Sequence, residues 1–220
     1  EIPDIPAGRV PPREPSQRTR VAQEIVQTEE TYVDALTEIV DRYERPIRKF
    51  VKKFVGGDGT VTPGEIDLIF SNIATVRHVN VALLERLKER VNEDWDDSRI
   101  VGDIFVDFAD QLPPVYRDYV QRFKASNATL REAYDNKPEF ASLLEEYKNN
   151  TKGKLDLESL LIMPIQRVPR YLLLLRELKK STEEGHRDHV LLDEAMESVA
   201  AVATLINKTQ AKIDAQFGLK

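Results

Sequence analysis

The chain has 220 residues, 41% hydrophobic and 32% charged, with a formal net charge of −6 and an isoelectric point near 5.3. That supplies apolar side chains for one large domain or two small ones, and the overall balance is wrong for the basic face of a nucleic-acid binder. Without cysteine there is no disulfide framework and no thiolate nucleophile, which suits a reducing compartment; no uncharged run is long enough to span a bilayer, and the N-terminus has no signal-peptide core.

Residues 1–17 form a proline-rich lead-in expected to be extended, and the domain proper is expected over 18–216, with a tail at 217–220. From Val21 onward, apolar or partly apolar groups recur in steps of three and four, through Ile25, Thr28, Tyr32, Leu36, Ile39, Tyr43, Ile47, Phe50 and Phe54. This spacing predicts a helix over 19–54, roughly 50 Å long, which Pro46 bends or ends early. GGDG (56–59) stops it, and in TPGE (62–65) Thr62 caps a second helix with Pro63 in its first turn and Glu65 closing a capping box. Asp58 invites a calcium loop, but Thr60, Thr62 and Pro63 stand where oxygen ligands and a glycine are needed. RPIRKFVKKF (45–54) reads as a solvated basic helix end.

The second helix is predicted over 63–91, with Ile66, Ile69, Phe70, Ile73, Val76, Leu83, Leu84 and Leu87 inward. A third is predicted over 99–124, kinked or broken by the proline pair at 113–114. Shorter helices fit 127–134 and 138–149, the latter capped by Asn136 and Glu139, and NNTKGK (149–154) is a turn. The last helix is predicted over 184–215, with Leu192, Ala195, Val199, Val202, Ile206 and Ile213 on one face. No strand alternation or repeat appears. The expected fold is all-α, an elongated bundle of long helices.

Catalytic signatures are missing. The histidines are His78, His186 and His189; the last two, with Asp188 and Asp193 nearby, read as exposed polar residues at a helix start, because no further metal ligand is in place. The many carboxylates single out no acid/base couple, and no phosphate loop, dinucleotide fingerprint, nucleophile elbow or zinc motif occurs. What remains is a large helical surface suited to another protein. One segment stands apart: LIMPIQRVPRYLLLL (161–175), an apolar run marked by two prolines and a polar insert.

That segment, within LESLLIMPIQRVPRYLLLLRELKKST (157–182), resembles the third conserved region of the Dbl-homology family, the exchange domains acting on Rho-type small GTPases. RVAQEIVQTEETYVDALTEIVDRYERPI (20–47) resembles the family's first conserved region, and HRDHVLLDEAMESVAAVATLIN (186–207) shares the family's rhythm. The resemblance spans 18–215 and implies an elongated helical bundle that accelerates GDP release without covalent chemistry. It implies no cofactor bound by this chain, since GDP, GTP and magnesium belong to the GTPase, and a Rho-, Rac- or Cdc42-class partner. It also implies a cytoplasmic location, recruitment to membranes by regions outside this chain, and a pleckstrin-homology domain in a longer protein.

By the same resemblance Glu24 is the catalytic glutamate that contacts switch I, and Thr28 and Tyr32 support packing between motif helices. Leu157, Leu161, Ile162, Met163, Gln166, Arg167 and Arg170 belong to the segment facing switch II, with Gln166, Arg167 and Arg170 supplying polar surface or interhelical pairing, and Glu197, Ala200 and Thr204 belong to the GTPase-facing side of the last helix. Of Leu157, Leu161 and Ile162, one or two are expected to be exposed contacts and the rest core; Leu172–Leu175 are expected in the core. The chain departs from the family at Met163, where lysine is common, at Ala200, where asparagine or aspartate is common, and at Leu172, where proline usually follows the tyrosine. These departures motivate an alternative: a helical scaffold that binds a GTPase or another protein without promoting exchange. A membrane-bending module is disfavoured by the acidic balance.

Overall fold

The computed structural model describes residues 14–53, 60–92, 94–150 and 152–217, without side chains for 53, 152 and 209–217. Every described element is helical: α1 Gln17–Glu38, a π-helical turn Ile39–Glu44, α2 Arg45–Lys53, α3 Pro63–Phe70, α4 Ile73–Arg90, α5 Gly102–Asp107, α6 Leu112–Asn136, α7 Pro138–Asn150, a 3₁₀ turn Lys152–Lys154, α8 Leu157–Leu161, α9 Met163–Lys180 and α10 Asp188–Phe217. The lead-in up to residue 13, the GGDG stop with Asp58, Phe54, Ile213's side chain and the last three residues lie outside the described set.

The first predicted helix is one continuous helical path, but it passes through a widened turn just before Pro46. Proline lacks the N–H that would bond four residues back, and its ring crowds that carbonyl, so the ladder loosens there without ending. Val21, Ile25, Tyr32, Leu36, Ile39, Tyr43 and Ile47 are all buried, as their spacing requires. At α3 the full capping box forms: Glu65 N–H donates to Thr62 Oγ1 (3.2 Å), and Thr62 N–H donates to Glu65 Oε2 (2.7 Å).

Three boundaries differ from expectation. The predicted 63–91 helix breaks at Ser71–Asn72, where Ser71 takes φ 48° and Asn72 Nδ2 donates to the Val115 carbonyl (3.0 Å). A tertiary hydrogen bond sets that break, with no glycine or proline to announce it. The proline pair at 113–114 does break the predicted 99–124 helix: α5 ends at Asp107, and the pair sits in the first turn of α6, where the N–H groups have no intrahelical partners to lose. α6 then runs unbroken to Asn136, whose side chain donates back to the Glu132 carbonyl (3.0 Å) and does not cap α7. The last helix starts at Asp188, four residues later than predicted.

α10 packs against α9, α5 and α6; α1 packs against α4 and α9; α3 packs against α6. One continuous apolar core runs through these contacts. Leu174 and Leu175 are in it and Leu172 is half-buried, but Leu173 is 59% exposed, against expectation. Four successive helical residues cover more than a full turn, so they cannot all face one way. No described helix is long and apolar enough to cross a membrane.

Candidate interaction face

α1 and α9 lie side by side, and each alternates buried with exposed groups along their seam. On α1, Ile25 and Glu29 turn inward while Glu24, Gln27 and Thr31 face out; on α9, Arg167 and Tyr171 turn inward while Gln166 and Arg170 face out. Glu24 and Arg170 therefore meet at the surface: their carboxylate and guanidinium are 3.8 Å apart, with side chains 53% and 56% exposed. At that separation and exposure the pair contributes little to stability, and both groups stay available to a partner. Between α1 and the α8–α9 segment runs an open groove of about 870 Å³, lined by Gln27, Thr28, Thr31, Met163, Gln166 and Arg170 among others.

The structure sorts the residues of the proline-marked segment. Ile162, where α8 gives way to α9, is 36% exposed, and Met163 is half-buried, lining the groove and packed against the core. Leu157 and Leu161 are 2% and 1% exposed, so both belong to the core and neither presents a contact surface. Arg167 is likewise removed from the surface, with a side chain 4% exposed. On α10, Glu197 and Thr204 are exposed and Ala200 half-buried, one to two turns apart along one side, outside the groove; Thr204 Oγ1 donates to its own helix at the Ala200 carbonyl (2.8 Å).

Behind the seam is a buried polar network. Arg167 Nε and Nη2 donate to Glu29 Oε2 at 3.0 and 2.6 Å. The Tyr171 hydroxyl reaches the same oxygen at 2.7 Å and Asn80 Oδ1 at 2.8 Å, with one hydrogen for the two. Asn80 Nδ2 donates to the Val76 carbonyl (2.7 Å) and the Tyr116 hydroxyl (3.0 Å), which meets the Tyr32 hydroxyl at 3.0 Å. The Arg167 guanidinium stacks on Tyr171, 4.4 Å from its ring centre, and lies 5.6 Å from that of Tyr32. Burial raises the pKa of Glu29, with Arg167 and Tyr171 opposing that shift. For Arg167, burial acts to lower the pKa, but Tyr171 and Glu29 outweigh it and leave the guanidinium firmly charged. Burial also raises the phenols of Tyr32, Tyr116 and Tyr171, which keeps all three as hydroxyls.

Reasoning from spacing and motifs missed the burial of Glu29 and Asn80. Glu29 carries a usable signal in hindsight: it stands three residues before Tyr32 and four after Ile25, inside the apolar stripe. Asn80 interrupts the stripe of α4 in the same way. His186 and Asp188 also prove structural. His186 Nε2 bonds the Asp97 carbonyl (2.8 Å), its Nδ1 accepts from the Asp188 N–H (3.0 Å), and Asp188 is fully buried, not exposed as expected. No metal-binding cluster of histidine and carboxylate occurs among the described residues.

Comparison with known proteins agrees with this architecture. The RhoGEF domain model matches residues 21–207. Mouse Protein ECT2 is 34% identical over 208 residues, covering 94% of this chain and 22% of that protein. The Dictyostelium discoideum protein named Guanine exchange factor for Rac 30 is 36% identical over 199 residues, covering 90% of this chain and 11% of that one. The chain thus spans about a fifth or less of these relatives' lengths. Among solved structures, an activated truncation of Vav1 superposes with a TM-score of 0.77 at 26% identity, over 91% of this chain and 48% of that one. With the family model spanning most of its length and two relatives above 30% identity, the chain belongs to the RhoGEF (Dbl-homology) domain family.

Proposed function

We propose that this domain accelerates nucleotide release from a Rho-type small GTPase by engaging the partner's switch segments on the face that carries Glu24, Gln166, Arg170 and Ile162. The observation that supports it best is the outward-facing Glu24–Arg170 pair, set in the two segments that carry the family motifs. A GTPase holds its nucleotide through a phosphate loop, switch segments and magnesium. A surface that binds the switches better when those contacts are broken lowers the barrier to release, and it does so by differential binding alone. Glu24 offers a carboxylate to switch I donors, and charge-assisted bonds of this kind are short and directional. Arg170 supplies a cation to the same face. The missing lysine at Met163 therefore does not leave the face without positive charge.

The test is release of fluorescent GDP from a panel of Rho, Rac and Cdc42 proteins with excess GTP and magnesium. The name of the Dictyostelium relative places Rac first in that panel. Acceleration is expected for at least one member, and Glu24→Ala is expected to reduce it about tenfold to a hundredfold, the worth of one or two charge-assisted hydrogen bonds, at unchanged helicity. No acceleration on any member rejects the reading.

A second reading, a scaffold that binds without releasing nucleotide, is favoured by apolar Met163 in the groove and by Ala200 on α10. Affinity decides between them. An exchange domain prefers the nucleotide-free GTPase, and a scaffold is indifferent to nucleotide. Met163→Lys adds a sharper probe, since a half-buried groove position tolerates a snorkelling lysine with little change in melting temperature. If the apolar side chain limits exchange, that variant is faster.

A further inference from the structure

We propose that Glu29 is the positioning residue of the exchange face: through Arg167 and Tyr171 it holds the proline-interrupted start of α9 against α1, and thereby sets where Gln166 and Arg170 stand relative to Glu24. The proposal rests on the exchange reading above and names what fixes its geometry.

α9 is weakened where the face needs it rigid. Pro164 lies in its first turn and Pro169 inside it. Pro169 has no N–H to give the Ile165 carbonyl, so the helix ladder is thinned along the turn from which Gln166 and Arg170 project. Arg167 and Tyr171 flank Pro169 at two residues on either side, and both turn inward onto one atom, Glu29 Oε2. Each is the immediate neighbour of an outward residue: Arg167 follows Gln166, and Tyr171 follows Arg170. The tertiary bonds thus replace the rigidity the proline removes, and they do so from α1, the helix that also carries Glu24.

The composition of the network fits this role better than a purely stabilising one. Glu29 Oε1 is buried with no hydrogen-bond partner among the described residues. A buried ion pair left partly unsatisfied gives little or no net stability over a well-packed apolar set of the same volume. What it does provide is direction, because the guanidinium plane and the phenol must both point at one oxygen.

The test is a double-mutant cycle on the GTPase that the wild-type domain opens fastest. Glu29→Gln is expected to lower the maximal exchange rate about tenfold, the equivalent of one strong hydrogen bond lost in placement. In an Arg170→Ala background the same change is expected to cost about twofold or less, because there is no guanidinium left to misplace. Phe140→Leu on α7, buried and remote from the face, serves as the control for stability and is expected to keep the wild-type rate. Losses that simply multiply in the double variant, or a matching loss in Phe140→Leu, overturn the proposal. Should Glu29→Gln fail to fold, Tyr171→Phe enters the same cycle with only a hydroxyl removed.

A second measurement does not depend on exchange. The chain has no cysteine, so spin labels can be placed at Thr31→Cys and Gln166→Cys across the groove. The label-to-label distance distribution is expected to broaden in Glu29→Gln and to stay narrow in Phe140→Leu. If the distribution broadens but wild type releases no nucleotide, the exchange reading fails and the positioning role stands; if it stays narrow, the positioning role fails whatever the exchange assay shows.

Discussion

Two buried ion pairs tie α1 to the rest of the bundle, and they are partnered in opposite ways. At the start of α1, Arg18 Nη2 meets Asp188 Oδ2 at 2.7 Å, and the same carboxylate accepts the Val101 and Gly102 N–H groups at 3.0 and 2.7 Å. Arg18 spends its remaining donors on the Asp97 and Arg99 carbonyls and on Thr182. Midway along α1, Glu29 and Arg167 are partnered by side chains only, and one carboxylate oxygen is left over. The first pair is bonded to four main-chain groups of the segment 97–102. Its groups cannot be removed without orphaning backbone donors. The second has no backbone partner, so its contribution is to orientation more than to stability.

Apolar replacement breaks or sharpens this contrast, and the largest effect is expected at the first pair. Asp188→Ala is expected to cost about 3–5 kcal/mol, since it strands a buried guanidinium. The double change Arg18→Met with Asp188→Leu is expected to recover little of that loss, because Val101 and Gly102 keep their unpaired N–H groups. Denaturant melts give both numbers, and a double variant as stable as wild type would dismiss the distinction. At the second pair the order is reversed. Arg167→Met alone is expected to cost about 3 kcal/mol, and adding Glu29→Leu is expected to restore most of it, with Tyr171 still able to donate to Asn80. Exchange is expected to stay low in that repaired double variant, which separates stability from placement.

A smaller loss is expected beside the first pair. A Cβ on Gly102 would lie 2.7 Å from the Leu191 carbonyl carbon and 2.8 Å from the Leu192 nitrogen, both backbone atoms of α10. Neither can rotate away. Gly102→Ala is therefore expected to cost about 1–3 kcal/mol in the same melts, by pushing α5 off α10 and lengthening the Asp188 bonds to Val101 and Gly102. A neutral substitution would show that the α5–α10 contact yields more easily than the brace implies.

How much of this was legible in the sequence follows the same divide. Helix type and the inward faces of α1 and α4 were legible, because period and burial are properties of one segment at a time: Val21 to Ile47, and Ile66 to Leu87, are buried as spaced. The capping box at Thr62 was legible for the same reason. The break at Ser71–Asn72 was not, since what fixes it is the Val115 carbonyl on α6. The site divides similarly. The motifs marked Glu24 as a surface contact and gave Gln166, Arg167 and Arg170 as polar surface or interhelical pairing, but spacing could not tell Ile162 from Leu157 and Leu161, nor say that Arg167 is the one that pairs inward. Whether a charged residue faces in depends on a partner from another helix, here Glu29 on α1 for Arg167, and Arg18 for Asp188.

The smallest expected effect concerns two carboxylates whose pKa values move in opposite directions. Glu158, in the first turn of α8, is held below its ordinary 4.5, chiefly by its bond from Arg131. Glu29 is raised above 4.5 by burial. A lowered pKa means the unfolded chain binds more protons in the window beneath 4.5. The stabilisation from Glu158 is therefore full above about pH 4.5 and lost as pH falls through its folded value. For Glu29 the excess of bound protons lies with the folded state, so its contribution is full below 4.5 and lost as pH rises through its folded value. The side chains of Glu158 and Arg131 are 40% and 67% exposed, so solvent screens the pair and the effect is small. Melting temperatures between pH 3 and 7 are expected to show wild type above Glu158→Gln at pH 5.5, with the gap closing as pH falls toward 3. The gap between wild type and Glu29→Gln is expected to change with the opposite slope, wild type gaining as pH falls, whatever constant offset the loss of the Arg167 bonds adds. Slopes of the same sign in the two variants would mean that Arg167 outweighs burial at Glu29, and the central pair would then be a stabilising one like the brace at Asp188.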